Sequence, residues 1–507
     1  MRLARNLPFI LALLLTSAAT PTAASEDAVT IAREWRKSHE QAIVQDFVTL
    51  LSIPNVASDT PNIRRNAEHI LSLLPSRGFE ARLLEADGGP PAVFAERTTP
   101  GAETTLLIYA HYDGQPVNAA DWASDPWTPV LRDGPVELGG EPVPLEAPFD
   151  PEARLFARSA GDDKAPVIAL LTALDALDAA GTPLSVNLKI LFDGEEEAGS
   201  PHLPAILERH RDLVAADLWL FCDGPMHQSR RPQINYGVRG AWGFGLTVYG
   251  ANRPLHSGHY GNWAPNPIMR LIELISSMRD GEGNILVAGY GDEVVQPSLS
   301  ELEAVNAAPP VDEGLVRELG IGAPETDDRV ELAIMRPAMN LRGIRSGDVG
   351  EAARNSIQTE ATASIGLRLV PNQTPQYLRE VIERHIRGQG YHIVYTPPTA
   401  AERAEHDRIA LLDWTEAGYP AYRAPMDLPI AQRVAAIVDA VADGQLVHLP
   451  TMGGSLPLKL VYEAVETPIL ILPIANHDNN QHGANENLRL QNLWDAIEVY
   501  AAVITEL

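Results

Sequence analysis

Short runs of aliphatic and β-branched residues, bounded by turn formers, recur along the first half of the chain: Thr105–Ala110, Val186–Phe192 and Leu218–Cys222. They are apolar at successive rather than alternate positions. That is the pattern of strands buried on both faces, and it predicts a mixed, mostly parallel sheet covered by helices, an α/β fold. Helical patterning covers Asp27–Leu51, Asn62–Leu74 and Ala165–Ala179. From about Gly240 the texture changes. Strands Trp242–Tyr249, Ser356–Val370 and Tyr391–Tyr395, with helices Pro267–Met278 and Pro375–Arg387, predict a small α+β unit inserted into the larger one. The Pro-, Ala- and Glu-rich stretch Ala307–Asp328 reads as an irregular excursion. The first pattern resumes near Leu428, with helix Ala431–Ala442 and strand Thr467–Pro473.

A chain of 507 residues is long for one core. The expected division is a catalytic domain made of residues 25–239 and 425–507, interrupted by an inserted domain at 240–424. Residues 1–24 read as a secretory signal: Arg2 and Arg5, the apolar run Phe9–Leu15, then small residues to Ala24. A periplasmic or secreted protein is therefore expected. The net charge of −28, from 67 acids and 39 bases, argues against nucleic acid or an anionic membrane as a partner. With Cys222 the only cysteine, any metal must be held by His, Asp and Glu.

Candidate ligands gather where the predicted strands end. The first strand runs into His111-Tyr112-Asp113, where a carboxylate two residues on can fix the imidazole. Asp162 and Asp163 precede a helix, as helix caps or as carboxylates facing a crevice. Asp193, Glu195, Glu196 and Glu197 crowd one strand end, costly by repulsion unless a cation sits among them. Asp223 ends the next strand, and His482 lies in the polar run after Pro473. Ligands bind beyond the carboxyl ends of such sheets. Imidazole mixed with carboxylates suits two divalent cations, Zn²⁺ or else Mn²⁺ or Co²⁺.

The segments His111-Tyr112-Asp113-Gly114-Gln115-Pro116, Gly161-Asp162-Asp163-Lys164, Glu195–Ser200 and Gly453-Gly454-Ser455-Leu456-Pro457 occur together and in this order. They resemble the metallopeptidase family of carnosinase, aminoacylase, carboxypeptidase G and succinyl-diaminopimelate desuccinylase. Asn235-Tyr236-Gly237-Val238-Arg239-Gly240, Leu255-His256-Ser257-Gly258 and Arg368-Leu369-Val370-Pro371-Asn372 resemble its carnosinase-like dipeptidase branch.

The resemblance implies a zinc-exopeptidase-like catalytic domain with a ferredoxin-like lid that dimerises. It implies His111 and Asp223 on one metal, Glu197 and His482 on the other, and Asp162 bridging, with a cis peptide after Asp162. Asp113 would orient His111, and Glu196 would be the general base. His256 would reach across a homodimer to the oxyanion. Arg368 would grip the substrate carboxylate, with Asn355, Gly453, Gly454 and Ser455 completing the pocket. The family's glycines near the bridging Asp are replaced by Ala157, Ser159 and Ala165, and Gln358 stands where Pro is common. The expected reaction is hydrolysis of dipeptides or similar small amides with a free carboxylate. N-acyl amino acids are the alternative substrates, and an exported binding protein on the same scaffold is the non-enzyme alternative.

Overall fold

The computed structural model describes residues 23–416 and 418–507. Nearly all of the segment read as a signal lies outside them. Two sheets carry separate cores. The larger has eight strands in the order Glu80–Leu84, Ala92–Arg97, Val186–Asp193, Thr104–His111, Leu218–Phe221, Ile469–Ile471, Gln233–Asn235 and Val447–Leu449. The four strands from Val186–Asp193 to Ile469–Ile471 run parallel to one another. Their burial is continuous toward the carboxyl ends, as uninterrupted apolar sequence requires. Helices Ala23–Leu51, Lys164–Ala180, Pro429–Val441 and Leu490–Glu506 pack on one another and share the sheet's core.

Register decides where the chemistry goes. His111 pairs with Asp193, Tyr109 with Phe221, and Phe221 with Ile471, so all four strands deliver their following loops to one edge. A three-stranded sheet of Val130–Arg132, Arg154–Phe156 and Asn487–Arg489 then ties the loop before Asp162 to the loop after His482.

The smaller sheet has the order Ala338–Arg345, Glu360–Leu369, Gly240–Tyr249, Ile409–Trp414 and His392–Val394. Helices Pro267–Met278 and Pro375–Gly388 pack in its core, giving a ferredoxin-like arrangement. The single strand expected over Ser356–Val370 is two. Ser356–Ile357 pairs with Leu255–His256, and after Gln358 the chain shifts to the main ladder at Glu360. The excursion expected at Ala307–Asp328 contains a helix, Asp312–Glu318, and is preceded by another, Leu299–Ala307.

The chain leaves the larger unit through Gly237–Val238 and returns through Tyr422–Arg423, and these two segments pair with each other. The approach is so close that a Cβ on Gly237 would lie 2.2 Å from the Tyr422 carbonyl oxygen. Only glycine fits there.

Candidate active site

Strand ends and loops bring His111, Asp162 and Asp223 into one triad of donor atoms, and Asp162, Glu197 and His482 into a second. Asp162 belongs to both. Its Oδ1 lies 2.8 Å from His111 Nε2, and its Oδ2 lies 3.3 Å from His482 Nε2. The remaining spacings are 3.8 Å from His111 Nε2 to Asp223 Oδ2 and 3.2 Å from His482 Nε2 to Glu197 Oε2. His111, Asp162 and Asp223 are buried, whereas the His482 side chain is 55% exposed.

Three carboxylates so placed are electrostatically expensive. Burial and the nearby Asp162 push Asp223 up to about 7. Burial and the neighbouring acids also raise Glu196 well above the usual carboxylate range. Asp162 goes the other way: burial opposes ionisation, but hydrogen bonds from His111 and His482 outweigh it. His482, bonded to Asp162 and Glu197, is raised to about 10. Asp223 Oδ2 is buried without a hydrogen-bond partner among the described residues. Nitrogen and oxygen donors from five residues, in two triads that share the Asp162 carboxylate, fit divalent cations, which would answer the crowding and the orphaned oxygen together.

Backbone and side chains outside the triads hold these donors. Asp113 faces His111 Nδ1 at 3.2 Å and accepts the backbone N–H groups of Glu196 and Glu197 at 3.0 and 3.1 Å. One carboxylate thus aims an imidazole and the whole Glu196-Glu197 turn. The four-acid cluster divides: Asp193 accepts from Tyr109 and Ser200, and Glu195 from His202, leaving Glu196 to line the cleft and Glu197 to join the second triad. The Asp162–Asp163 peptide is cis. Ser159, at a position where glycine was expected, sits in the left-handed region with φ 62°. Its hydroxyl donates to the Asp113 carbonyl and accepts from Asn55, so a serine is fixed in a glycine conformation.

Several supporting residues were given no role from the sequence. Buried Glu486 accepts from the backbone N–H groups of Ser159, Gly161 and Asp162 and pairs with Arg158 at 2.7 Å. Gln115 donates to Glu197 and Gln481 to Asp162, each at 2.8 Å. Asn235 is buried on the cleft wall with neither amide atom bonded among the described residues. Its place in the Asn235–Gly240 motif was the one available hint.

Above the triads lies a cleft of about 630 Å³ lined by Asp162, Glu196, Asp223, His482, Arg368 and the Gly453-Gly454-Ser455 loop. Arg368 donates to Ser455 Oγ at 2.6 Å, leaving a guanidinium beside that loop. His256 and Asn355 are not among the residues lining it. Both are exposed and lie together at the two-stranded ribbon of Leu255–His256 and Ser356–Ile357, where Ser257 N–H donates to the Asn355 carbonyl.

Paired carboxylates, imidazoles and an adjacent half-buried glutamate define a metal-dependent hydrolase site. Residues 107–506 match Peptidase family M20/M25/M40, and the chain belongs to that family of metallopeptidases, which use divalent metals. It is 25% identical over 488 residues to the Cys-Gly metallodipeptidase dug1 of Schizosaccharomyces pombe, covering 91% of this chain and 95% of that protein. The human Beta-Ala-His dipeptidase is 25% identical over 434 residues, covering 82% and 78%. In fold the chain is similar to an M20 family metallo-carboxypeptidase, Sso-CP2, from Sulfolobus solfataricus, with TM-score 0.73, 24% identity and coverage of 92% and 98%. These matches support the carnosinase-like branch and an enzyme that hydrolyses peptide bonds, and they set aside the binding-protein alternative.

The expectation of a periplasmic or secreted protein is corrected by the same comparisons, because the Dug1 relatives are cytosolic enzymes of yeast. Among the described residues no helix is long and apolar enough to cross a membrane.

Proposed function

We propose that the chain is a two-metal dipeptidase whose zinc ions, or manganese or cobalt, are held by His111, Asp162, Glu197, Asp223 and His482. The observation that carries this reading is Asp162, whose two oxygens face two different triads. When bound, such cations lower the pKa of water and polarise a scissile carbonyl. Glu196 takes the proton from the attacking water and returns it to the leaving amine. Burial and the neighbouring acids raise its carboxyl above the ordinary range, which makes it a stronger base than a solvated glutamate. Arg368 receives the substrate's carboxylate, where a guanidinium fork matches two oxygens, with Gly453, Gly454 and Ser455 alongside. Asp113 keeps His111 and the Glu196 turn in place.

His256 and Asn355 serve the cleft of a second copy in a homodimer joined through the lid, residues 240–424, while 25–239 and 425–507 form the catalytic body. Two features support this. Both residues are exposed and away from their own cleft, and Ala338–Arg345 is an open sheet edge with Leu341 and Ile344 exposed. The test is a dipeptide-library screen of the metal-reconstituted protein beside N-acetyl amino acids. Cleavage of dipeptides that Glu196→Gln abolishes, at unchanged metal content, is the expected result. Cleavage of N-acetyl amino acids alone would assign the site to the aminoacylase-like alternative.

A further inference from the structure

The cleft wall includes a charged group contributed by the stretch just after the excursion rather than by the strand ends. The short helix Val330–Ala333 carries Glu331, which lines the cleft together with Val330 and Ile334. Ile334 packs over Gly453, so this helix stands directly above the loop beside Arg368. Glu331 is 4% exposed, and its Oε2 has no hydrogen bond among the described residues. A buried carboxylate with an open oxygen is costly unless something completes it.

Its neighbours satisfy it only in part. His227, 2% exposed and four residues beyond Asp223, places Nε2 3.4 Å from Glu331 Oε1. The Ser229 backbone N–H donates to His227 Nδ1, which leaves Nε2 to donate to Glu331. Arg329 is the one cation beside Glu331 among the described residues. Its Nε stands 3.3 Å from Oε2 without the alignment of a hydrogen bond. Its Nη2 donates to Glu331 Oε1 at 3.3 Å and to the carbonyls of Ala308 and Pro309, and its Nη1 to the carbonyl of Asn306, so Oε1 is paired and Oε2 is left open. His227 and Arg329 nonetheless outweigh the burial that would raise the Glu331 carboxyl and hold it below its ordinary value, so it is charged at neutral pH.

We propose that Glu331 is a specificity-determining residue that receives a protonated nitrogen of the substrate, making the cleft selective for ligands that carry an ammonium as well as a carboxylate. The reading rests on the hydrolase function proposed above and refines its substrate class. The ammonium has two sources in a dipeptide, the free α-amine and a basic side chain, and the two ask for different substrates.

The experiment uses the zinc-loaded full chain and two matched pairs. Ala-Ala is compared with N-propionyl-alanine, which lacks only the amine, and Ala-Lys with Ala-norleucine, which lacks only the side-chain ammonium. The expected result is a preference in kcat/KM of about tenfold or more for the charged member of one pair, as a charge-assisted hydrogen bond supplies. Glu331→Gln should shrink that preference to within about twofold. The pair affected names the source. A merely structural Glu331 would lower both members of a pair alike and leave their ratio untouched. The inference is overturned if the wild-type protein shows neither preference, or if the folded Gln variant keeps the one it shows. Should that variant lose its cooperative melt, Glu331→Asp, which draws the charge back by one methylene, carries the same comparison. Failure of the wild-type protein to cleave any of the four would instead remove the function on which the inference rests.

Discussion

The floor of the cleft and the two-stranded ribbon of Leu255–His256 and Ser356–Ile357 hold functional candidates under opposite conditions. On the floor, His111, Asp162 and Asp223 are buried, aimed by Asp113 and Glu486, and in contact with one another. On the ribbon, His256 is exposed, and among the described residues its ring nitrogen accepts from the nearby Gly258 N–H. The floor gathers its candidates within one chain. The ribbon stands apart from its own cleft, which is why we propose that it serves the cleft of another copy. Preorganised donors need a fixed frame, and such a dimer would supply it.

Breaking the floor should have the largest effect. Glu196→Gln is expected to lower kcat by roughly 10²- to 10⁴-fold, with metal content by atomic spectroscopy unchanged. Retained turnover would mean that another group moves the proton. The ribbon comes next: His256→Ala should cost about 10²- to 10³-fold in kcat with little change in KM. The two lesions together sharpen the contrast. If His256 acts in trans, a mixed dimer of one Glu196→Gln subunit and one His256→Ala subunit has one intact site and regains activity. If it acts within its own chain, every site in the mixture is damaged and none returns.

Removing the carboxylate grip is a milder break. Arg368→Ala should lower kcat/KM by about 10- to 100-fold, mostly through KM, from the loss of one charge-assisted pair. The smallest expected effect lies in proton bookkeeping. In the metal-free chain His482 keeps its proton up to about pH 10 and Asp223 up to about 7. Ligation requires both deprotonated, so metal uptake must release protons and apparent affinity must rise with pH. Calorimetry in buffers of different ionisation enthalpy measures the release. An affinity flat between about pH 6 and pH 9 would exclude these two as ligands.

What the sequence made legible follows the same division. The parallel strands were readable because burial on both faces leaves a continuous apolar run, and each ends on its chemistry: His111, Asp193 to Glu197, Asp223. The edge strands were not. Glu80–Leu84 is half solvated, and Ala338–Arg345 is exposed along most of its length, so neither keeps an apolar pattern. Glu486 escaped notice because its partners, Arg158 and the Asp162 turn, lie more than 300 residues away in sequence. Glu331 escaped because its stretch adjoins one read as irregular, and burial there is set by packing against Gly453 rather than by local periodicity.

The paired segments Gly237–Val238 and Tyr422–Arg423 have one more implication. An insertion whose two ends are already clasped costs its host about as much closure entropy as a short hairpin, whatever lies beyond the clasp, because that cost grows only with the logarithm of loop length. The body's strand ends are therefore insulated from changes in the lid's size. New segments such as the one bearing Glu331 can be added there to remodel the cleft from above without disturbing the ligands beneath.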